Sequence, residues 1–289
     1  MLGKVFESIF LHAVAQAEYN APDQRKATGS YYTPRIVVHF ICQESLRLYL
    51  KGQLPETEWD AKIRALFQVD PTLGLDVDDI ALLKATFKPA DGRRLVDILK
   101  PIKVCDPAVG SGAFPVGLLH ELVNLRRIVE TIANGFVDPL RGEGSNWVHQ
   151  TKAGIVENCL YGVDIQQQAI EICRLRLWLS LIVDYDLGLD PFEADPAQFR
   201  QAIEHISQLP NLEMNFHRGD SLLDYICGVN VRVAPEKSET YSREYLKIRE
   251  LGLKLHHAKE SHRKRELRVE ILRHRLELSE RVLGNGIKS

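Results

Sequence analysis

Three short apolar runs in this chain each end in an aspartate: "IKVCD" at Asp106, "CLYGVD" at Asp164 and "LEMNFHRGD" at Asp220. The first is followed at once by "PAVGSGAF", two glycines around a serine and then the start of a helical apolar rhythm. Carboxylates accept hydrogen bonds from hydroxyls, amines and backbone N–H groups, and do so strongly away from water. Gly110 and Gly112 let the main chain come close to a ligand. A helix starting just beyond them points its N-terminal N–H groups at the same place. Taken one at a time, each aspartate is equally a turn former or a helix N-cap. Together with the glycines they describe a wall of acceptors beside bare backbone.

The elements that must carry these residues follow from periodicity. Residues 1–100 read as a helical region. Val5 to Tyr19 has a helical apolar rhythm, "NAPDQRKATGSYYTP" interrupts it, and Pro34 is placed to open a helix through "RIVVHFICQESLRLYL". Two shorter helices are expected near Trp59–Phe67 and Asp78–Phe87, with "LPETEWD" and "KPADGRR" as connectors. From residue 101 to 235 short apolar runs alternate with helices, expected at about Ala113–Ile132 and Gln166–Tyr185. That alternation predicts an α/β fold with a doubly wound, mainly parallel sheet covered on both faces. A polar loop and a helix from Trp147 to Asn158 read as an insertion near 134–158 that stretches the first crossover. In an open parallel sheet, ligands bind at the carboxyl ends of strands, so three strand-ending acids line one crevice. Residues 236–289 form a charged helical arm or hairpin, with 14 lysines and arginines against 9 glutamates, a net of +5.

Several ligand classes fall away. A dinucleotide fingerprint needs a third glycine where Pro115 stands, and a P-loop needs a lysine with Ser or Thr after the glycines, which is absent. An acid immediately before the loop also has the wrong sign for a phosphate. S-adenosylmethionine, with an amino group, a sulfonium and ribose hydroxyls, suits an acidic wall. Histidines such as His120 and His205 lack metal-site spacing, and Trp178 sits on an apolar helix as a core residue. The five cysteines, Cys42, Cys105, Cys159, Cys173 and Cys227, are scattered and contain no CxxC, which points to reduced thiols in a cytoplasmic protein, four of them buried in apolar surroundings. The net charge of −2 does not itself announce nucleic acid. No run reaches the roughly 18 apolar residues of a membrane span, so no membrane partner is expected.

"DPAVGSGAF" resembles the first motif of S-adenosylmethionine-dependent DNA adenine-N6 methyltransferases, in the branch found in type I and type IIG restriction–modification enzymes. "TGSYYTP" resembles the motif that precedes it, "NCLYGVDIQQQAIEICRLRLWLSL" the second motif region, and "GDSLL" the third. The resemblance runs in order from residue 28 to 223 and implies a Rossmann-like methyltransferase fold. It also implies roles. Tyr32, Thr33 and Pro34 match the preceding motif, whose threonine bonds the cofactor carboxylate. Asp106 engages the methionine part, with Ala108, Gly110 and Gly112 forming the loop against it and Phe114 packing beside it. Asp164 accepts from the ribose hydroxyls, Ile165 packs on the adenine ring, and Asp220 accepts from the adenine amino group.

The same family uses [DNS]PP[YFW] to hold the flipped target base. No PP pair occurs anywhere in the chain, and residues 236–283 resemble a charged helical insertion that often precedes that motif. The expectation is therefore a partial fold, the cofactor-binding part of a larger enzyme and inactive alone. Its three strands leave a sheet edge that self-association or the C-terminal helices are expected to cover. DNA is reached through the full-length parent, and the rest of that chain or other restriction–modification subunits are the other partners. Two alternatives remain: a non-catalytic subunit that binds DNA or proteins through its basic C-terminal helices, and a methyltransferase with another substrate.

Overall fold

The computed structural model describes residues 33–141, 146–183, 212–222, 225–226, 229–230, 242–258 and 261–286. They fall into two units, one of residues 1–206 with 215–218, the other of residues 207–214 with 219–289.

Among the described residues of the first unit, four α-helices precede the sheet. Pro34, whose fixed φ suits a helix start, stands just before α1, Arg35–Gln53. Val38, Cys42, Leu46 and Leu50 recur at helical spacing and are buried. α2, Glu58–Leu66, buries Trp59, Ile63 and Leu66. α3, Val77–Thr86, opens with a reciprocal cap: the Asp76 carboxylate accepts from Asp79 N and the Asp79 carboxylate from Asp76 N. The fourth helix, α4, Pro89–Leu99, corrects the expected connector "KPADGRR". Pro89 sits in its first turn, where no N–H is missed, and Asp91 accepts from Lys88 N. Gly92 does not break the helix. It lets α4 lie against the end of α5, Ala113–Ala133: a Cβ on Gly92 would stand 2.3 Å from Ala133 N.

The sheet of this unit has three parallel strands, β1 Val104–Asp106, β2 Leu160–Asp164 and β3 Phe216–Arg218, in the order β1-β2-β3. The register pairs Val104 with Leu160 and Asp106 with Gly162, then Gly162 with Phe216 and Asp164 with Arg218. The order runs without reversal, so these strands are one winding of the expected doubly wound, Rossmann-like pattern. Among the described residues β1 has no strand on its outer side. The third apolar run is shorter as a strand than its sequence suggests, because Leu212–Met214 forms a 3₁₀ turn first.

The first crossover contains α5 and then α6, Trp147–Asn158, at the expected bounds. Trp147 Nε1 donates to Glu130 of α5 at 2.7 Å, fixing where α6 begins. Arg127 of α5 makes a paired contact with Asp138 (3.1 and 2.6 Å) and donates to Pro71 O at 2.7 Å, which pins the loop leaving α5. α7, Gln167–Ile182, makes the second crossover and buries Ile170, Cys173, Leu177 and Leu181. Asn215, buried, stands just before β3. Its side-chain amide donates to Glu157 O at 2.9 Å and Leu160 O at 3.0 Å, and its own carbonyl accepts from Gly162 N. That one side chain ties the ends of α6 and β2 to the start of β3.

The second unit contains a two-stranded antiparallel ladder, β4 Tyr225–Ile226 with β5 Val229–Asn230, and a helical pair, α8 Ser242–His257 and α9 Ser261–Gly286. These helices lie in the charged C-terminal stretch, for which a helical arm or hairpin is expected. Leu251 and Leu255 of α8 pack on Leu267 and Ile271 of α9. Among the described residues no helix is long and apolar enough to cross a membrane.

Candidate functional site

Asp106 ends β1, and the chain turns through Pro107 to Gly112 before α5 begins. The turn is built on the aspartate itself: Asp106 Oδ1 accepts from Ala108 N at 3.0 Å. Val109 is buried and donates its N–H to Val163 O of β2 at 2.9 Å. Gly110 and Gly112 have φ of +52° and +84°, the left-handed region open to glycine at little cost. Gly112 has a second reason. A Cβ there would stand 2.6 Å from Cys173 Sγ on α7. The loop is tight because α7 passes directly behind it.

Asp164 ends β2 and faces the same loop. Its Oδ2 accepts from Gly110 N at 2.8 Å and its Oδ1 from Gln166 N at 2.9 Å. The carboxylate therefore clasps the glycine loop from the neighbouring strand and starts the turn into α7. Each oxygen keeps a second lone pair for a further donor. Ile165, next in the chain, is 54% exposed, an apolar side chain held at the strand end.

The other oxygen of Asp106, Oδ2, is buried and has no hydrogen-bond partner among the described residues. Burial pushes this carboxyl above its usual range and the nearby Asp164 charge adds to the rise, against the lowering by Ala108 N. An acceptor left without a donor is costly, so its presence marks a place where a donor from outside fits. Asp106 also forms part of the wall of a cavity of about 220 Å³, lined mainly by apolar groups that include Ile41, Phe114, Leu118 and Leu160. α1 forms one side of this cavity because Gly117 of α5 lets it approach: a Cβ there would stand 2.4 Å from Val38. Cys42 also lines it and points its thiol toward Phe114 O at 3.9 Å. Burial, with the charges of Glu121 and Asp106 adding, pushes the Cys42 thiol up to about 12.

The structure thus brings Asp106, Ala108, Gly110, Gly112, Asp164 and Ile165 to adjoining strand ends, with Phe114 in the first turn of the following helix. Thr33 is half-buried and Pro34 exposed just before α1. Tyr32 lies outside the described residues. Asp220 stands two residues past β3, in the second unit, exposed, where it accepts from Leu222 N at 2.9 Å.

Two contributors were not foreseen. Arg176 of α7 donates to Ser111 O at 2.8 Å and holds the loop from behind. Cys173 shapes Gly112 by contact. The sequence signal for the first was present in "CRLRLW", where two arginines, Arg174 and Arg176, stand within an apolar stretch and need acceptors. Among the described cysteines, Cys42, Cys159 and Cys173 are buried as expected. Cys105 is exposed, which corrects the expectation for an apolar run, because β1 is a three-residue edge strand. Cys227 lies outside the described residues. No group of metal-ligating side chains occurs among the described residues.

Comparison with known proteins bears on the same elements. Residues 158–274 match the family described as Eco57I restriction-modification methylase, a span that runs from the last residue of α6 into α9. The chain is 30% identical over 229 residues to a protein of Methanocaldococcus jannaschii named as a candidate type II restriction enzyme and methyltransferase. The alignment covers 78% of this chain and 16% of that relative, so the chain spans about a sixth of the relative's length. No solved structure gives a significant match. The likeness to restriction–modification methyltransferases therefore rests on two comparisons besides the motifs.

Proposed function

We propose that this chain, similar to restriction–modification methyltransferases over most of its length, is the part of a DNA adenine-N6 methyltransferase that holds S-adenosylmethionine. The observation that carries the proposal is the buried Oδ2 of Asp106, which has no partner among the described residues, beside a loop of two left-handed glycines. A ligand with amino and hydroxyl donors and no phosphate satisfies that oxygen. In this assignment Asp106 takes the amino group of the methionine part, and Ala108, Gly110 and Gly112 let the ligand lie against the main chain. Asp164 uses its remaining lone pairs for the ribose hydroxyls while its backbone bonds keep the loop in place. The exposed Ile165 gives the adenine ring an apolar surface. Thr33 holds the carboxylate, Pro34 shapes that end and Phe114 packs alongside. Bound there, S-adenosylmethionine supplies an electrophilic methyl group on its sulfonium.

The chain has no PP pair, so the residues that take up the flipped adenine are assigned to the rest of the parent polypeptide or another subunit. DNA is accordingly a partner of the whole enzyme. The test is methyl transfer from labelled S-adenosylmethionine to duplex DNA. The chain alone is expected to leave the DNA unlabelled. Label in adenine would overturn the division of labour, and label in protein or RNA would overturn the DNA assignment.

A further inference from the structure

Arg218 closes β3, and in the parallel register its Cα is the partner of Asp164, the last residue of β2. Opposite charges on neighbouring strand ends ordinarily draw into an ion pair. Here the two side chains go elsewhere. Both Asp164 oxygens are taken by main-chain N–H groups, Gly110 at 2.8 Å and Gln166 at 2.9 Å. The Arg218 guanidinium turns to the next residue of the chain and donates from Nε to Ile165 O at 3.1 Å. That bond uses the single N–H on Nε and leaves both terminal nitrogens with donors to give. Among the described residues Arg218 makes no other hydrogen bond and no ion pair, and its side chain is exposed.

The neighbours decide what those donors can take. Ile165, whose carbonyl fixes Nε, presents an apolar side chain that is 54% exposed at the same strand end. A flat ring lies well on such a side chain. Ionised carboxylates only accept, so Asp106 and Asp164 serve the amino and hydroxyl donors of a ligand and leave its acceptors unserved. A guanidinium tied to Ile165 O supplies the missing donors beside a ring resting on Ile165. An anionic group would also attract Arg218, but the adjoining Asp164 carboxylate opposes a second negative charge there. Neutral acceptors, such as the lone pairs of ring nitrogens, carry no such penalty.

We infer that Arg218 is a further ligand-binding residue, donating from its terminal nitrogens to a ring nitrogen of the adenine. The inference rests on the proposed placement of S-adenosylmethionine and adds to it a residue that reads the acceptors of the ring, which a carboxylate cannot do. An arginine that merely capped Ile165 O would be indifferent to which atoms the ring contains.

The experiment titrates the full chain with S-adenosylhomocysteine and with its 1-deaza, 3-deaza and 7-deaza analogues, in each of which C–H replaces one ring nitrogen. The parent is expected to bind one of the analogues about ten-fold more weakly than S-adenosylhomocysteine. Arg218→Met, at an exposed position, is expected to keep the parent's circular dichroism spectrum and to bind S-adenosylhomocysteine about ten-fold more weakly than the parent. In that variant the same analogue should bind as well as S-adenosylhomocysteine, because the partner of the missing nitrogen is already gone. Analogues that all bind the parent as tightly as S-adenosylhomocysteine, or that lose equally in parent and variant, overturn the inference and leave the cofactor site standing. So does an Arg218→Met loss that couples to the 2′-deoxy analogue in place of a ring nitrogen. No binding of S-adenosylhomocysteine by the folded parent overturns the cofactor reading itself, and this inference falls with it.

Discussion

Replacing Gly112 by alanine tests how the glycine loop is built. The new Cβ would stand 2.6 Å from Cys173 Sγ and 3.1 Å from Cys173 Cβ, with φ at +84°. A left-handed backbone costs an L-residue about 1–2 kcal/mol. Overpacking against a buried neighbour adds about 1–3 kcal/mol. The sum, about 2–5 kcal/mol, corresponds to a fall in thermal midpoint on the order of 4–20 °C for a protein of this size. Thermal unfolding followed by circular dichroism reads it. The double variant with Cys173→Ala separates the two causes. Removing the sulfur relieves the closest contact but leaves φ and the Cβ contact. Cys173→Ala alone should cost about 1 kcal/mol as a small cavity. The double variant should then be more stable than simple addition predicts, by about 1–2 kcal/mol. A Gly112→Ala midpoint within about a degree of the parent, or strict additivity in the double variant, would refute the steric account of the loop.

Other consequences follow from the same contacts. Asp164→Ala removes the acceptor of Gly110 N and Gln166 N, at about 1.5–3 kcal/mol of stability for a charged acceptor; an unchanged urea midpoint would show that the loop does not depend on this clasp. For Asp106, burial raises the carboxyl above its ordinary 3.8, so the folded state disfavours its charge. The penalty is absent below 3.8, grows as pH rises through the folded value and is complete at neutrality. Asp106→Asn should therefore stabilise the ligand-free chain at pH 7 and lose that gain toward pH 3, and a variant less stable than the parent at pH 7 would mean the carboxylate already has a partner. Burial pushes the thiols of Cys42 and Cys173 up to about 12 and also raises those of Cys159 and, with the Asp106 charge adding, Cys105, but Cys105 alone among the described cysteines is exposed, so iodoacetamide should spare the other three in the folded chain while Cys105 reacts. Peptide mapping that finds Cys42 labelled as fast as Cys105 would contradict the closed packing of α1 on α5.

Local signals in the sequence carried the ends of β1 and β2, the glycine loop and α6 almost residue for residue, whereas β3 stops at Arg218, two residues short of the acid expected to end it. α4 was hidden because Pro89 and Gly92 look like breakers. Proline is harmless in a first helical turn, and Gly92 answers to Ala133, far along the chain. Arg176, Asn215 and Cys173 were missed for the same reason, as their partners lie on other elements. The clasp of Asp164 on Gly110 spans 54 residues and no periodicity announces it. Asp106 and Asp164 were legible as acceptors, whereas which oxygen is left open became visible only from the packed loop.

Calorimetric titration with S-adenosylmethionine and its demethylated product tests the central claim most directly. The account predicts saturable heat for one site per chain, weakened by Asp106→Ala and by Asp164→Ala in protein whose circular dichroism shows it folded. No heat at about millimolar ligand, corresponding to less than ~4 kcal/mol of binding, in folded parent protein would contradict it.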